Sequence, residues 1–578
     1  MGLGLRECNG AIRDVSNTFI KEACRVETNK LNVMGREMQI REGMTFGELA
    51  KEFQGEFSSA ILVAKQGNTL KELDYEIKET EDITFFDLTH KEGMRVYHRG
   101  VSFLLVKAAK DVLGEDAHVV IEHSLRGNLY CEIRNPKVEI SEELLKNLQD
   151  KMMEYVAADL PIVKKTFRKD RAIEVAKKQG MQDKAKLFRF RRASNVNMYE
   201  LEGLYDYFYG YMPPRTGALQ LFGLAAHANG LLLRFPDPEN PAELLPLQMP
   251  EKISNVFMEQ MRWCQLMGVS NVAELNHTIV EGGFGELVRI NEALHEKKIA
   301  EIADQIYQRM DKVKVVLIAG PSSSGKTSFA NRLSIQLKVL GVKPHKVSLD
   351  DYFLNRDDTP ADENGRKNFE VIEALDLPLL NSDLKKIIAG EKVELPFYNF
   401  LTGKREYNGD FVQLGEGEVL VVEGIHGLND RLTAEIPAEN KFKIFISAIT
   451  QLNIDDHNRV STSDCRMIRR MVRDNQFRGR DARKTIETWN EVTQGEEDNI
   501  FPFQENADVV FNSTTLYELS VLKQYAEPQL FAIDPSMPEY VTANRLTKFL
   551  SYFLAAPEKE IPNNSLIKEF VGGSCFKV

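Results

Sequence analysis

The sequence predicts an α/β protein whose C-terminal part is built on a mainly parallel sheet, and three observations carry that prediction. The apolar, β-branched run at residues 313–319 leads straight into GPSSSGKT at residues 320–327. Residues 328–337 then place apolar side chains at helical spacing, so a glycine-rich turn joins a strand to a helix. From residue 311 to 530 strand-like and helix-like stretches alternate, the pattern of parallel strands joined by crossover helices.

At 578 residues the chain is too long for one hydrophobic core; a soft prior on domain size suggests about three or four units. Its formal charge of −12, from 74 Lys+Arg against 86 Asp+Glu, argues against nonspecific nucleic-acid or membrane binding by the whole surface. Any phosphate site is then a local exception. Cys8, Cys24, Cys131, Cys264, Cys465 and Cys575 form no CxxC pair and no zinc spacing, which speaks against a disulfide framework and for a reducing compartment. Charges interrupt the first residues where a signal peptide needs an apolar core, and Arg6 stands where a myristoylation motif needs Ser or Thr. No apolar run approaches the roughly 20 residues of a membrane span, so a cytoplasmic protein without membrane contact is expected.

Read in order, residues 1–28 form a lead segment and residues 29–90 a small unit of short strands and one helix. Residues 37–40, 60–64 and 83–89 have strand character, and residues 45–53 begin a helix with Thr45 and Glu48 as a capping box. Residues 91–245 form the next unit, closed by the proline-rich stretch 233–250. Helical spacing at residues 253–267 and 287–310 makes 246–310 a connector, in which Met258, Met261 and Trp263 read as core. The α/β unit covers 311–530, and a helical tail covers 531–578.

Residues 29–90 resemble a TGS domain, the β-grasp module at the start of threonyl-tRNA synthetases. The stretches GMRVYHRGVS (93–102) and LYDYFYGYMP (204–213) resemble those of the same enzymes' second, α+β editing-type domain. That resemblance implies a zinc-type ligand set, HxxxH with CxxxH. Here His98 is followed by Ser102, and Phe208 and Met212 hold the later positions, so a domain stripped of its metal site and of editing chemistry is expected. His123, His227 and His277 are isolated and receive no role.

The chemistry starts at the loop. Glycines let backbone N–H groups curl around an anion, which makes Gly320, Pro321, Ser322, Ser323, Ser324, Gly325, Lys326, Thr327 and Ser328 the candidate ATP-binding residues. Lys326 would reach the β- and γ-phosphates, and Thr327 would offer its hydroxyl to Mg²⁺. A strand at 346–349 ends in Asp350 and another at 419–422 ends in Glu423, placing two carboxylates at the strand C-terminal edge where ligands bind. Phosphoryl transfer needs a base and a metal shell, and Asp350 suits the first and Glu423 the second. Arg466, Arg469, Arg470 and Arg473 fall on one helix face, followed by Arg478 and Arg480, an expected arginine lid over polyphosphate.

Taken together and in order, GPSSSGKTS, VSLDDYF, NFE (368–370), PFYNF (396–400), VVEGIHGL and RRMVRDNQFRGRD resemble the uridine kinase and phosphoribulokinase family of P-loop kinases, over residues 311 to about 515. The resemblance implies ATP and Mg²⁺ as cofactors, a small-molecule acceptor, and transfer of the γ-phosphoryl to a hydroxyl, foremost the 5′-OH of a nucleoside. It implies Asp350 as the base, acting with Lys326 and Arg473. Tyr352, Glu370 and Tyr398 would face the acceptor, and Arg470, Arg473, Arg478 and Arg480 would engage phosphates or acceptor from the lid. Three positions depart from the pyrimidine-nucleoside kinases: Gly403 where they carry a base-recognising histidine, Glu370 for Asp, and Thr488 for a lid Gln. Lost donors relax or change specificity. A kinase for another polyol or sugar phosphate therefore stays open, as does an RNA- or ribosome-associated NTP-dependent regulator that contacts RNA through the N-terminal units. Homo-oligomerisation also stays open.

Overall fold

The computed structural model describes residues 30–134, 138–248, 250–361, 365, 367–450 and 452–577. The lead segment expected at 1–28, with Arg6, Cys8 and Cys24, lies outside the described residues.

The first unit is a five-stranded mixed sheet in the order Arg36–Met38, Leu31–Val33, Ile83–Phe86, Val63–Gln66, Thr69–Lys71. Its opening hairpin turns through Met34 and Gly35, both at positive φ (51° and 81°), the geometry that matches strand twist in a two-residue turn. The helix Phe46–Phe53 starts with the expected capping box, Glu48 N–H donating to Thr45 Oγ1 at 3.1 Å while Thr45 N–H donates to Glu48 Oε2 at 3.1 Å. It buries Phe46, Leu49 and Phe53 under the sheet.

The second unit combines the helix Lys91–Leu113 with a four-stranded and a three-stranded antiparallel sheet. His98 lies on that helix with its ring against Phe235, centroids 3.8 Å apart, and burial pushes its pKa down to about 3. Ser102, Phe208 and Met212 are all buried, the last two within the apolar core. Among the described residues no three His, Cys, Asp or Glu side chains come together to hold a metal ion.

The connector holds three helices rather than the two expected. Between Glu251–Met267 and Phe284–Tyr307 lies Val272–Val280, whose N-cap Asn271 accepts from Glu274 N–H at 3.1 Å. At nine residues it is too short for its apolar spacing to stand out from the loops around it.

The next sheet is wholly parallel, in the order Lys343–Ser348, Glu418–Glu423, Val315–Ala319, Lys441–Ser447, Val509–Asn512. Its first strand in the chain is central and completely buried, as an uninterrupted β-branched run demands. A separate hairpin, Val393–Asn399 with Lys404–Val412, stands beside it.

The units are welded together. One apolar core runs through Leu104, Phe208, Ile468, Leu522 and Phe570, so the tail expected at 531–578 packs back into the body. Residues 452–458 dock on the second unit, with Ile121 N–H donating to Asp456 O at 2.8 Å. Behind that contact the fully buried Lys184 ammonium lies 3.2 Å from both Asp206 and Asp455, and His457 Nδ1 is 2.6 Å from Asp206 Oδ2. Buried charges on this scale persist only when mutually paired.

Candidate active site

The central strand delivers the chain into the loop at the sheet's C-terminal edge. A Cβ on Gly320 would sit 2.1 Å from Ile446 O, so only glycine fits there. Ser323 (φ 59°) and Gly325 (φ 87°) adopt the left-handed region, folding the loop onto the N-terminus of the helix Lys326–Val339. The hydroxyls of Ser323, Ser324 and Ser328 are buried without a protein hydrogen-bond partner. Unspent polar atoms around a helix N-terminus are what a polyphosphate satisfies. Lys326 Nζ donates to Gly320 O (2.9 Å) and Pro321 O (3.2 Å), which holds the ammonium over the loop. Burial lowers its pKa while Glu423 and Asp350 pull it back up.

Thr327 Oγ1 donates to Glu423 Oε1 at 3.0 Å. The sequence places the two residues 96 positions apart, and the parallel pairing of Val315–Ala319 with Glu418–Glu423 brings them together. Burial pushes Glu423 up to about 7; Lys326 opposes that shift and Asp350 adds to it. Two hard oxygen donors side by side suit Mg²⁺, and the loop suits the phosphates of ATP.

Asp350 leaves the strand Lys343–Ser348 in the single turn Leu349–Tyr352, where its N–H donates to Ser348 Oγ at 3.3 Å. The Asp350 residue is solvent-exposed at the end of that strand. Desolvation by the surrounding protein raises its pKa, against the pull of Lys326, Arg478 and Arg473 in that order. Its neighbour is already committed: Asp351 Oδ1 accepts from Tyr398 N–H at 3.1 Å and so ties the turn to the hairpin.

Of the expected acceptor-side residues, Glu370 lies within electrostatic reach of Arg470, Lys326 and Asp350, whereas Tyr398 and Tyr352 belong to one apolar core. Burial pushes Glu370 up to about 7 against the guanidinium of Arg470, and Lys326 and Asp350 also act on it. Its Cβ lies only 2.6 Å from where a Cβ on Gly495 would be, so the glycine permits that approach. Tyr398 is buried with its phenol oxygen unpartnered, edge-on to Phe353 (5.7 Å) and Phe400 (5.0 Å). Tyr352 belongs to the same apolar core as Tyr398 and donates to Asp383 Oδ2 at 3.2 Å.

The arginine face divides in two. Arg466 pairs with Glu496 (2.5 Å) and donates to Ser322 O (3.1 Å), while Glu496 Oε1 accepts from Ser322 N–H at 2.8 Å. Arg469 pairs with Glu518 (2.5 Å) and donates to Ser323 O (3.3 Å). Both cations are buried and neutralised, so they clamp the loop from behind. Arg470 donates to Ser322 Oγ at 3.0 Å, and Arg473 meets Asp474 at 2.8 Å. Arg478, more than half exposed, is 3.8 Å from the same aspartate. Arg480 is exposed, and Arg470 feels its charge.

Sequence reading missed Glu496, Glu518 and Glu569. The last belongs to the tail: Glu569 Oε2 accepts from Ser328 N–H at 3.1 Å, inside the first turn of the loop helix. None of these acids lies within a local motif, and each partner is 30 or more residues away. Gly403 sits at φ 68° in the hairpin turn, and Arg356 covers it, its N–H donating to Gly403 O at 2.8 Å. A Cβ on Gly403 would fall 2.9 Å from the Arg356 guanidinium carbon.

Residues 315–520 match the model of the Phosphoribulokinase / Uridine kinase family. Uridine kinase of Deinococcus deserti is 29% identical over 180 residues, 31% of this chain and 77% of that protein. Threonine–tRNA ligase of Syntrophotalea carbinolica is 24% identical over 194 residues, 34% of this chain but 30% of that enzyme. Among solved structures, D-glycerate 3-kinase from Cryptococcus neoformans var. grubii is 15% identical, covers 44% of this chain and 87% of that one, and has a TM-score of 0.21. No described helix is long and apolar enough to cross a membrane. The loop and the parallel sheet fall almost wholly within the residues 315–520 that match the Phosphoribulokinase / Uridine kinase family model.

Proposed function

We propose that this protein is an ATP- and Mg²⁺-dependent kinase that phosphorylates a hydroxyl of a small molecule, foremost the 5′-OH of a nucleoside. The observation that carries the reading is Asp350, free of other duties, facing Lys326, Arg473 and Arg478 at the sheet edge. A carboxylate there can take the proton of an acceptor hydroxyl while the cations stabilise charge on the phosphoryl group. The loop residues and Lys326 would hold ATP, and Thr327 with Glu423 would hold Mg²⁺; ATP supplies the phosphoryl group, and the metal spreads its charge. Glu370 and the unpartnered Tyr398 hydroxyl supply hydrogen-bonding groups for a ribose-like diol.

A second reading, a kinase for a sugar phosphate, is favoured by Arg356, which brings a guanidinium to the turn where the pyrimidine-nucleoside kinases present a histidine. Residues 29–90 we read as TGS-like and residues 91–245 as synthetase-like, on the strength of the mixed sheet and of the two motif stretches. ATP consumption and product formation against nucleosides, polyols and sugar phosphates test the proposal. Turnover of uridine or cytidine supports the first reading, exclusive turnover of a phosphorylated sugar the second, and transfer to none of them contradicts both.

A further inference from the structure

A cavity of about 150 Å³ lies far from the loop, where the first sheet, the second unit and the C-terminal helix Tyr540–Leu550 meet. Six cationic side chains line it: Arg95, Arg99, Lys164, Arg191, Arg545 and Lys548. Three are matched by carboxylates, Arg95 with Glu92 (2.5 Å), Lys164 with Glu72 (2.7 Å) and Arg545 with Asp464 (2.5 Å). The other three have no carboxylate partner among the described residues. Arg99 spends only Nε, on Tyr211 O at 2.8 Å. Arg191 donates to the phenol oxygens of Tyr207 (2.5 Å) and Tyr552 (3.2 Å), and its own Nε is buried with no partner. Desolvation first, and then the charges of Arg191, Lys164 and Arg99, lower the Lys548 pKa to about 8, with Glu72 acting in the opposite direction.

Convergent like charges in an enclosed space destabilise a fold, and in a chain of net charge −12 they did not gather through a general excess of cations. An anion seated among them would reverse the repulsion and take up the unspent guanidinium donors. The remaining wall supplies tyrosine rings, Tyr199 and Tyr209 among them, and the side-chain amides of Asn195 and Asn544. We propose that this cavity is a binding site for a small phosphate monoester, held by Arg99, Arg191 and Lys548. The site is separate from the candidate active site and does not depend on the kinase reading.

The test uses the full-length protein carrying Lys326→Ala, which weakens phosphate binding at the loop. Calorimetric titration with inorganic phosphate should give one saturable site, and uridine 5′-monophosphate, in addition to any binding at the candidate acceptor pocket, should bind that same site. Adding Lys548→Met should weaken it about tenfold or more, Lys548→Arg should restore it, and Lys548→Glu should abolish it. Equal Lys548-dependent affinity for the two ligands would show that the phosphate alone is read; tighter nucleotide binding that Lys548→Met also weakens would show that the rings and amides take part. Without ligand, Lys548→Met should leave the melting temperature unchanged or raised, because it removes repulsion. Two results would overturn the proposal: no saturable binding, or binding that Lys548→Met and Lys548→Glu both leave unchanged.

Discussion

Asp350 and Asp351 are adjacent, identical in chemistry, and separated by what each is already doing. Asp351 holds the Tyr398 backbone, whereas the Asp350 carboxylate feels the charges of Lys326, Arg478 and Arg473. Asp350→Asn should therefore lower kcat by about 10²- to 10⁴-fold with little change in the KM for ATP, while Asp351→Asn should act chiefly on stability. Steady-state kinetics beside thermal melts separate the two, and an Asp351→Asn variant with the larger kcat loss would reverse the assignment. Tyr352→Phe should cost about 1 kcal/mol of stability through the lost Asp383 bond and leave KM for the acceptor unchanged. Glu423 sets a pH dependence. Its folded pKa of about 7 lies above its ordinary 4.5, so the ligand-free native state keeps a proton that the unfolded chain releases. Its contribution to stability thus falls as pH rises from about 4.5 through about 7. Mg²⁺ needs the carboxylate, so the Mg²⁺-induced rise in melting temperature should grow over the same window and be lost in Glu423→Gln. Growth of that shift in Glu423→Gln as well would place the metal elsewhere.

At the scale of elements, the arginine helix Thr462–Phe477 shows what spacing reveals and what it hides. Its register correctly puts four arginines on one face, but nothing in that register says which of them meet a buried acid. Arg466→Met would strand Glu496 without its partner and should cost about 3–5 kcal/mol of stability. Arg473→Met, in the cleft, should lower kcat with a much smaller change in melting temperature. Equal destabilisation by both would refute the division into a clamp and a lid. The tail offers a matching case. Glu569 holds the Ser328 N–H that loop geometry offers to phosphate, so Glu569→Gln should lower the KM for ATP. An unchanged or raised KM would show that the contact is only a helix cap.

Across the whole molecule, the loop, the central strand and the two strand-end carboxylates were legible because each rests on local chemistry: glycine at forced φ, β-branched burial, acids at one sheet edge. The order of the five parallel strands, the Lys184 network and the return of the tail were not, since these depend on contacts between residues tens to hundreds of positions apart. The central claim is that the loop at residues 320–327 drives phosphoryl transfer to a hydroxyl acceptor. Its most direct test is product formation from ATP and the acceptor panel by the wild type and by Lys326→Ala, with circular dichroism and melting curves confirming that both are folded. The account predicts a phosphorylated product with the wild type and its near-complete loss in the folded variant. Undiminished turnover by folded Lys326→Ala would contradict it.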